Sequence, residues 1–116
     1  LEEAERIERE FNALEPFDRR VKLELLGSVN RPPMERTEGV VKLFEKAKKL
    51  AGSFDYELEE TKVGGASDGN FVGSLGVPLL DGLGIAGDGA HTLEEYVVVN
   101  DIPNRATLLA KMLLED

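Results

Sequence analysis

The only histidine of the chain, His91, stands in the loop Gly87-Asp88-Gly89-Ala90-His91-Thr92. An imidazole can ligate a metal or carry a proton near neutral pH, and glycines beside it let backbone approach a metal or substrate closely. Its place favours a role, because ligands in open α/β sheets gather outside the carboxyl ends of strands, and the loop follows the compact apolar run Val77-Pro78-Leu79-Leu80. An unliganded surface histidine fits the same residues. Glu94 and Glu95 follow closely; either can steady the imidazole from behind by a hydrogen bond, or the pair can be a solvated turn.

Two further segments carry chemistry-bearing residue types. Gly64-Gly65-Ala66-Ser67-Asp68-Gly69-Asn70 combines small residues with a helix start, an arrangement that exposes backbone N–H groups to an anion or carbonyl. It equally fits a tight strand-to-helix turn with Asp68 as N-cap. It lacks the lysine of a P-loop, which argues against nucleotide phosphates. Arg31, between Asn30 and Pro32-Pro33, sits on stiffened backbone suited to bidentate recognition of a carboxylate, or it is a surface arginine paired with a neighbouring acid.

These residues need elements to hold them. Ala4, Ile7, Phe11 and Leu14 recur at steps of three and four, predicting an amphipathic helix over roughly residues 2–14 that Pro16 ends. Val21, Leu23 and Leu25 alternate with Lys22 and Glu24, predicting a strand within 20–29. Thr37 caps a predicted second helix with Val40, Val41, Phe44, Ala47, Leu50 and Ala51 on its apolar face and Gly52 at its end. Strands are predicted from Phe54 to Val63, at Val77–Leu80 and at Tyr96–Val99. Asp68 is expected to cap a short helix through Phe71, Val72 and Leu75. Asp101 is expected to cap a last helix with Pro103 in its first turn and Ile102, Ala106, Leu109 and Leu113 on the main apolar face, widened by Leu108 and Met112. Strand and helix alternate, which predicts an α/β layer.

Composition sets outer bounds. At 116 residues the chain fits one domain-sized unit. Zero cysteine excludes a disulfide scaffold and suits a reducing compartment. A net charge of −9 argues against nucleic-acid backbones and anionic membrane surfaces. No apolar stretch approaches the roughly 18 residues of a membrane span. The acidic start, Leu1-Glu2-Glu3, is the opposite of a signal peptide's basic region, so a cytoplasmic location is expected; lacking an initiator Met, the chain is expected to be a piece of something longer.

Taken together, Gly64-Gly65-Ala66-Ser67-Asp68-Gly69-Asn70-Phe71, then Leu75 to Gly84 with its Asp81-Gly82-Leu83-Gly84 ending, then Gly89-Ala90-His91-Thr92 with Glu95-Tyr96-Val97, resemble the C-terminal end of the two-zinc exopeptidases. That family includes glutamate carboxypeptidase, acetylornithine deacetylase and succinyl-diaminopimelate desuccinylase. The likeness runs from Arg31 to the C-terminus and is strongest to the glutamate carboxypeptidase branch. It implies a fold of the α/β class: the C-terminal part of a catalytic sheet with helices in residues 34–116, preceded in residues 1–33 by the last helix and strand of an α+β lid plus a hinge. The lid implies a homodimer.

The resemblance also implies roles. His91 falls on a zinc-ligand histidine, Arg31 on the arginine that holds the substrate's carboxylate, and Gly64, Gly65 and Ser67 on backbone lining the substrate cleft; from the residues themselves, Asp68 reads as the cap that shapes this stretch and Glu95 as a supporting or structural residue beside His91. The expected substrate is a peptide or N-acyl amino acid, and the expected cofactor is zinc, two ions in the intact enzyme. The family's other ligands, a His-x-Asp segment, a Glu-Glu pair with the general base, a further acidic ligand and a lid histidine, have no counterpart in this chain. The chain alone is therefore expected to be catalytically silent and to hold zinc weakly, since a zinc site takes about three or four protein ligands. A deacylase or dipeptidase of the same family is the enzymatic alternative; a non-catalytic association module is the alternative of another class.

Overall fold

The computed structural model describes residues 1–115. Helix α1 spans Glu2–Asn12, with Glu2, Glu3 and Glu5 in its first turn, where negative charge meets the positive end of the helix dipole. Arg6 reaches back to Glu3 and forward to Glu10, the three- and four-residue steps that face each other on a helix. The helix ends at Ala13, ahead of Pro16. Helix α2 spans Glu38–Gly52, and the Val40 N–H donates to Thr37 Oγ1 at 3.3 Å, the expected cap. A short helix α3 covers Gly69–Ser74, and α4 covers Ile102–Leu114, entered through a 3₁₀ turn at Val99–Asp101.

The chain forms two compact units. The first joins Leu1–Glu35 to Gly65–Val77, and the second joins Arg36–Gly64 to Pro78–Asp116. In the first, none of the described side chains is fully buried. Its α1 faces the extended stretch after Leu25, leaving a shallow cleft of about 260 Å³ lined by Ile7, Phe11, Leu25, Leu26 and Val29.

The second unit holds the core. Phe44, Ala47, Leu50 and Ala51 of α2 meet Leu58 and Leu108, and Phe54, Tyr56, Leu80, Leu83 and Met112 pack around them. Burying each large side chain is worth roughly 1.5–3 kcal/mol, so α2 and α4 are held mainly by this contact rather than by helix propensity. The apolar face of α2 lies where the spacing predicts. The face of α4 does not: Leu108 is fully buried, whereas Ile102 and Leu113 are exposed. Met112 follows Leu108 at one helical turn and joins the core, so the stripe runs one residue away from the predicted one.

The predicted strands are the main departure. Residues 22–30, 56–63 and 77–80 are extended or irregular and enter no ladder. A strand exists only with a partner whose N–H and C=O groups pair with its own, and among the described residues nothing pairs with these three. The sheet that does form is a two-stranded antiparallel hairpin, β1 Gly87–Asp88 and β2 Tyr96–Val97, in the register Gly87↔Val97 and Asp88↔Tyr96. The architecture is thus helices with a small sheet, compatible with the α/β class at that coarse level. Among the described residues, no helix is long and apolar enough to cross a membrane.

Candidate functional site

Arg31, Ser67 and Asp68 come together in the first unit. Pro32 and Pro33 fix the backbone after Arg31, and the guanidinium carbon lies 4.9 Å from the centre of the Phe71 ring, a stacking distance at which the ring face attracts a cation. One edge of the guanidinium faces Asp68, with Nη2 3.5 Å from Oδ1. That distance makes an ion pair without a hydrogen bond, and Asp68 is 95% exposed. The Asn70 side chain ties the two segments: its Nδ2 donates to the Pro32 carbonyl at 2.8 Å, and its Oδ1 accepts from the Ser67 N–H at 2.9 Å.

Asp68 occupies the N-cap position of α3, but its side chain makes no capping bond. The Gly69 N–H instead donates to Ser67 Oγ at 3.1 Å, so Ser67 and Asn70 shape the turn and leave the Asp68 carboxylate free to turn toward Arg31. A Cβ added at Gly64 or Gly65 would meet nothing within 4 Å. Gly64 belongs to the second unit and Gly65 to the first.

His91 lies in the second unit, near the tip of the hairpin that starts at Ala86. Above the ladder the loop closes by local bonds: the Thr92 N–H and hydroxyl both donate to the Gly89 carbonyl, at 3.0 and 2.7 Å, and the Glu94 N–H donates to Thr92 Oγ1 at 3.2 Å. Gly89 and His91 both take positive φ, +72° and +68°. Histidine is one of the few residues with a side chain that enter this region readily. Glu95 meets His91 at the main chain rather than at the ring: the His91 N–H donates to Glu95 Oε2 at 3.3 Å. The imidazole is exposed. Among the described residues, no three His, Cys, Asp or Glu side chains gather where they could hold a metal ion, so the donors present do not amount to a zinc site.

Asp101 was expected only as a helix cap. It stands at that position without a capping bond, because its carboxylate is used elsewhere. Oδ1 accepts from the Tyr56 hydroxyl at 2.6 Å, and Oδ2 accepts from the Ala86 N–H at 2.8 Å and from Arg105 Nε at 3.2 Å. Arg105 also lies over the Tyr56 ring, 5.5 Å from its centre, and Tyr56 stacks on Phe54. The Tyr56 hydroxyl, then the Ala86 N–H, hold the Asp101 carboxyl below the usual aspartate range. Burial, with the bond to Asp101, pushes the Tyr56 phenol up. Only one sequence signal marked any of this: an aspartate just before a Pro-led helix.

Comparison with known proteins places these features in a wider set. A family model described as peptidase family M20/M25/M40 matches residues 6–115. Carboxypeptidase G2 from Pseudomonas sp. (strain RS-16) is 31% identical over 90 residues, which cover 73% of this chain and 21% of that protein. The chain thus spans about a fifth of the length of the curated relative it matches. No solved structure matches it.

Proposed function

Because the chain belongs to the peptidase family M20/M25/M40, we propose that it supplies part of the active site of a longer metal-dependent hydrolase, one that cleaves the amide bond beside an amino acid bearing a free carboxylate. The observation that carries this reading is the state of Arg31. Its guanidinium is stacked on Phe71, its backbone is followed by two prolines, and among the described residues its open edge has only an ion pair at 3.5 Å to an exposed Asp68. A substrate carboxylate offers two oxygens to that edge and can form the parallel pair of hydrogen bonds that Asp68 does not. Similarity to a protein named a carboxypeptidase supports a C-terminal residue, such as glutamate, as the anchored part.

His91 contributes one imidazole to a zinc site that the described residues of this chain do not complete. The hairpin sets where that imidazole stands, and the chain alone is catalytically silent. In the longer protein, Arg31→Ala raises KM for substrates with a free carboxylate and leaves amidated ones unchanged; an equal effect on both counts against the carboxylate role. His91→Asn removes most activity and weakens one metal site, and unchanged turnover sinks that assignment. Faster release from a C-terminal glutamate conjugate than from acetylornithine separates the carboxypeptidase from a deacylase of the same family.

A second reading draws on the apolar cleft of the first unit. Phe11, Leu25 and Val29 are 52%, 45% and 44% exposed, which suits association with a second copy. Sedimentation of the 116-residue chain across a range of concentrations tests it, and a monomer throughout rules it out.

A further inference from the structure

We infer that Asp101 is a positioning residue for His91, acting as a clamp at the mouth of the hairpin that carries it; the functional part of this inference rests on the reading of His91 given above. Both legs of the hairpin end on this one residue. The first leg starts at Ala86, whose N–H donates to Asp101 Oδ2 at 2.8 Å. The second leg ends at Val98, whose carbonyl accepts the Asp101 N–H at 2.9 Å. The legs are also joined to each other, by the Val98 N–H donating to the Ala86 carbonyl at 2.7 Å.

The clamp is itself fixed to the core. Asp101 is only 8% exposed, and its other partners come from two separate places: Tyr56, just beyond α2, and Arg105, in the first turn of α4. Tyr56 also packs against the core cluster. A buried carboxylate with every partner in place is rigid, because moving it strands at least one polar group without a bond. The hairpin has only two ladder pairs of its own, and a two-stranded ribbon of that size does not hold its geometry alone. The position of its tip therefore depends on the mouth, and the mouth is set by Asp101.

The test uses the 116-residue chain and residue-resolved amide exchange. In Asp101→Ala, exchange at Ala86 and Val98, whose N–H groups are bonded at the mouth, rises by about tenfold or more, while the α2 and α4 amides of Ala47 and Leu108 change by less than about threefold, as expected for local opening. The coupling that reports φ at His91 moves away from its left-handed value. Asp101→Asn, which keeps an acceptor oxygen, restores part of the protection; it carries the test alone if the alanine variant does not fold. Equal acceleration in the hairpin and in both helices shows a plain loss of core stability and overturns the proposal. So does an unchanged hairpin. These rates do not depend on metal, so failure of the His91→Asn activity test removes the ligand reading and leaves the clamp standing.

Discussion

The Tyr56 hydroxyl donates to Asp101 Oδ1 at 2.6 Å across 45 positions of sequence, and this bond ties the segment after α2 to the start of α4. It joins the two helices whose packing makes the core of the second unit. The same carboxylate holds the entry of the His91 hairpin, so helix packing and loop placement share one residue.

Tyr56→Phe keeps the ring stack on Phe54 and removes only the hydroxyl. Asp101 then retains Ala86 and Arg105 but loses its shortest bond. A hydrogen bond to a charged group is worth about 1.5–3 kcal/mol, and chemical denaturation of the variant should show a loss in that range without a change in slope.

Stability should fall at both ends of the pH scale through this pair. The Asp101 carboxyl lies lower in the folded chain than its ordinary 3.8, so its contribution is present above that value and is lost as pH falls through the folded-state value. The Tyr56 phenol lies higher than its ordinary 10.0, so its contribution is full below 10.0 and is lost as pH rises through the folded-state value. Denaturation midpoints against pH measure both limbs. Asp101→Asn should flatten the acid limb, and Tyr56→Phe the alkaline one.

Among the described residues, Leu108 is the one large side chain with no exposed surface. Leu108→Ala opens a hole between α2 and α4 and should cost about 2–5 kcal/mol. Leu113→Ala, on an exposed position of the same helix, should stay within about 0.5 kcal/mol. Thermal melts of the two variants side by side distinguish the observed face of α4 from the predicted one.

A side chain at Gly87 has no room, since its Cβ would press on the Tyr96 carbonyl across the ladder. Gly87→Ala should break the Gly87↔Val97 pairing and leave the helical core intact. Amide exchange at Val98, whose N–H donates to the Ala86 carbonyl beside this position, and helical circular dichroism report the two effects separately.

What was legible in the sequence follows the range of the forces involved. Thr37, Gly52 and the α2 stripe act within one or two turns, and that helix appears as predicted. Val21, Leu23 and Leu25 alternate just as clearly, yet no strand forms, because alternation specifies a face and says nothing of which backbone supplies the ladder. Asp68 and Asp101 both have the sequence context of caps, and both carboxylates turn instead to partners distant in sequence, Arg31 and Tyr56. Arg31 with Ser67 and Asp68 was foreseeable as a set only by resemblance. Tyr56 with Arg105 was not foreseeable at all, because neither residue sits in a motif.

His91 takes φ +68° at the hairpin tip, and this narrows the paths by which the position can change over generations. Glycine, asparagine and aspartate accept that backbone at little cost, whereas a branched residue does not. A lineage can therefore lose the imidazole and keep the loop by drifting to asparagine, but reaching valine or isoleucine requires the hairpin to be rebuilt. The backbone of the tip therefore filters its occupant by shape alone, before any chemistry of the ring is asked for.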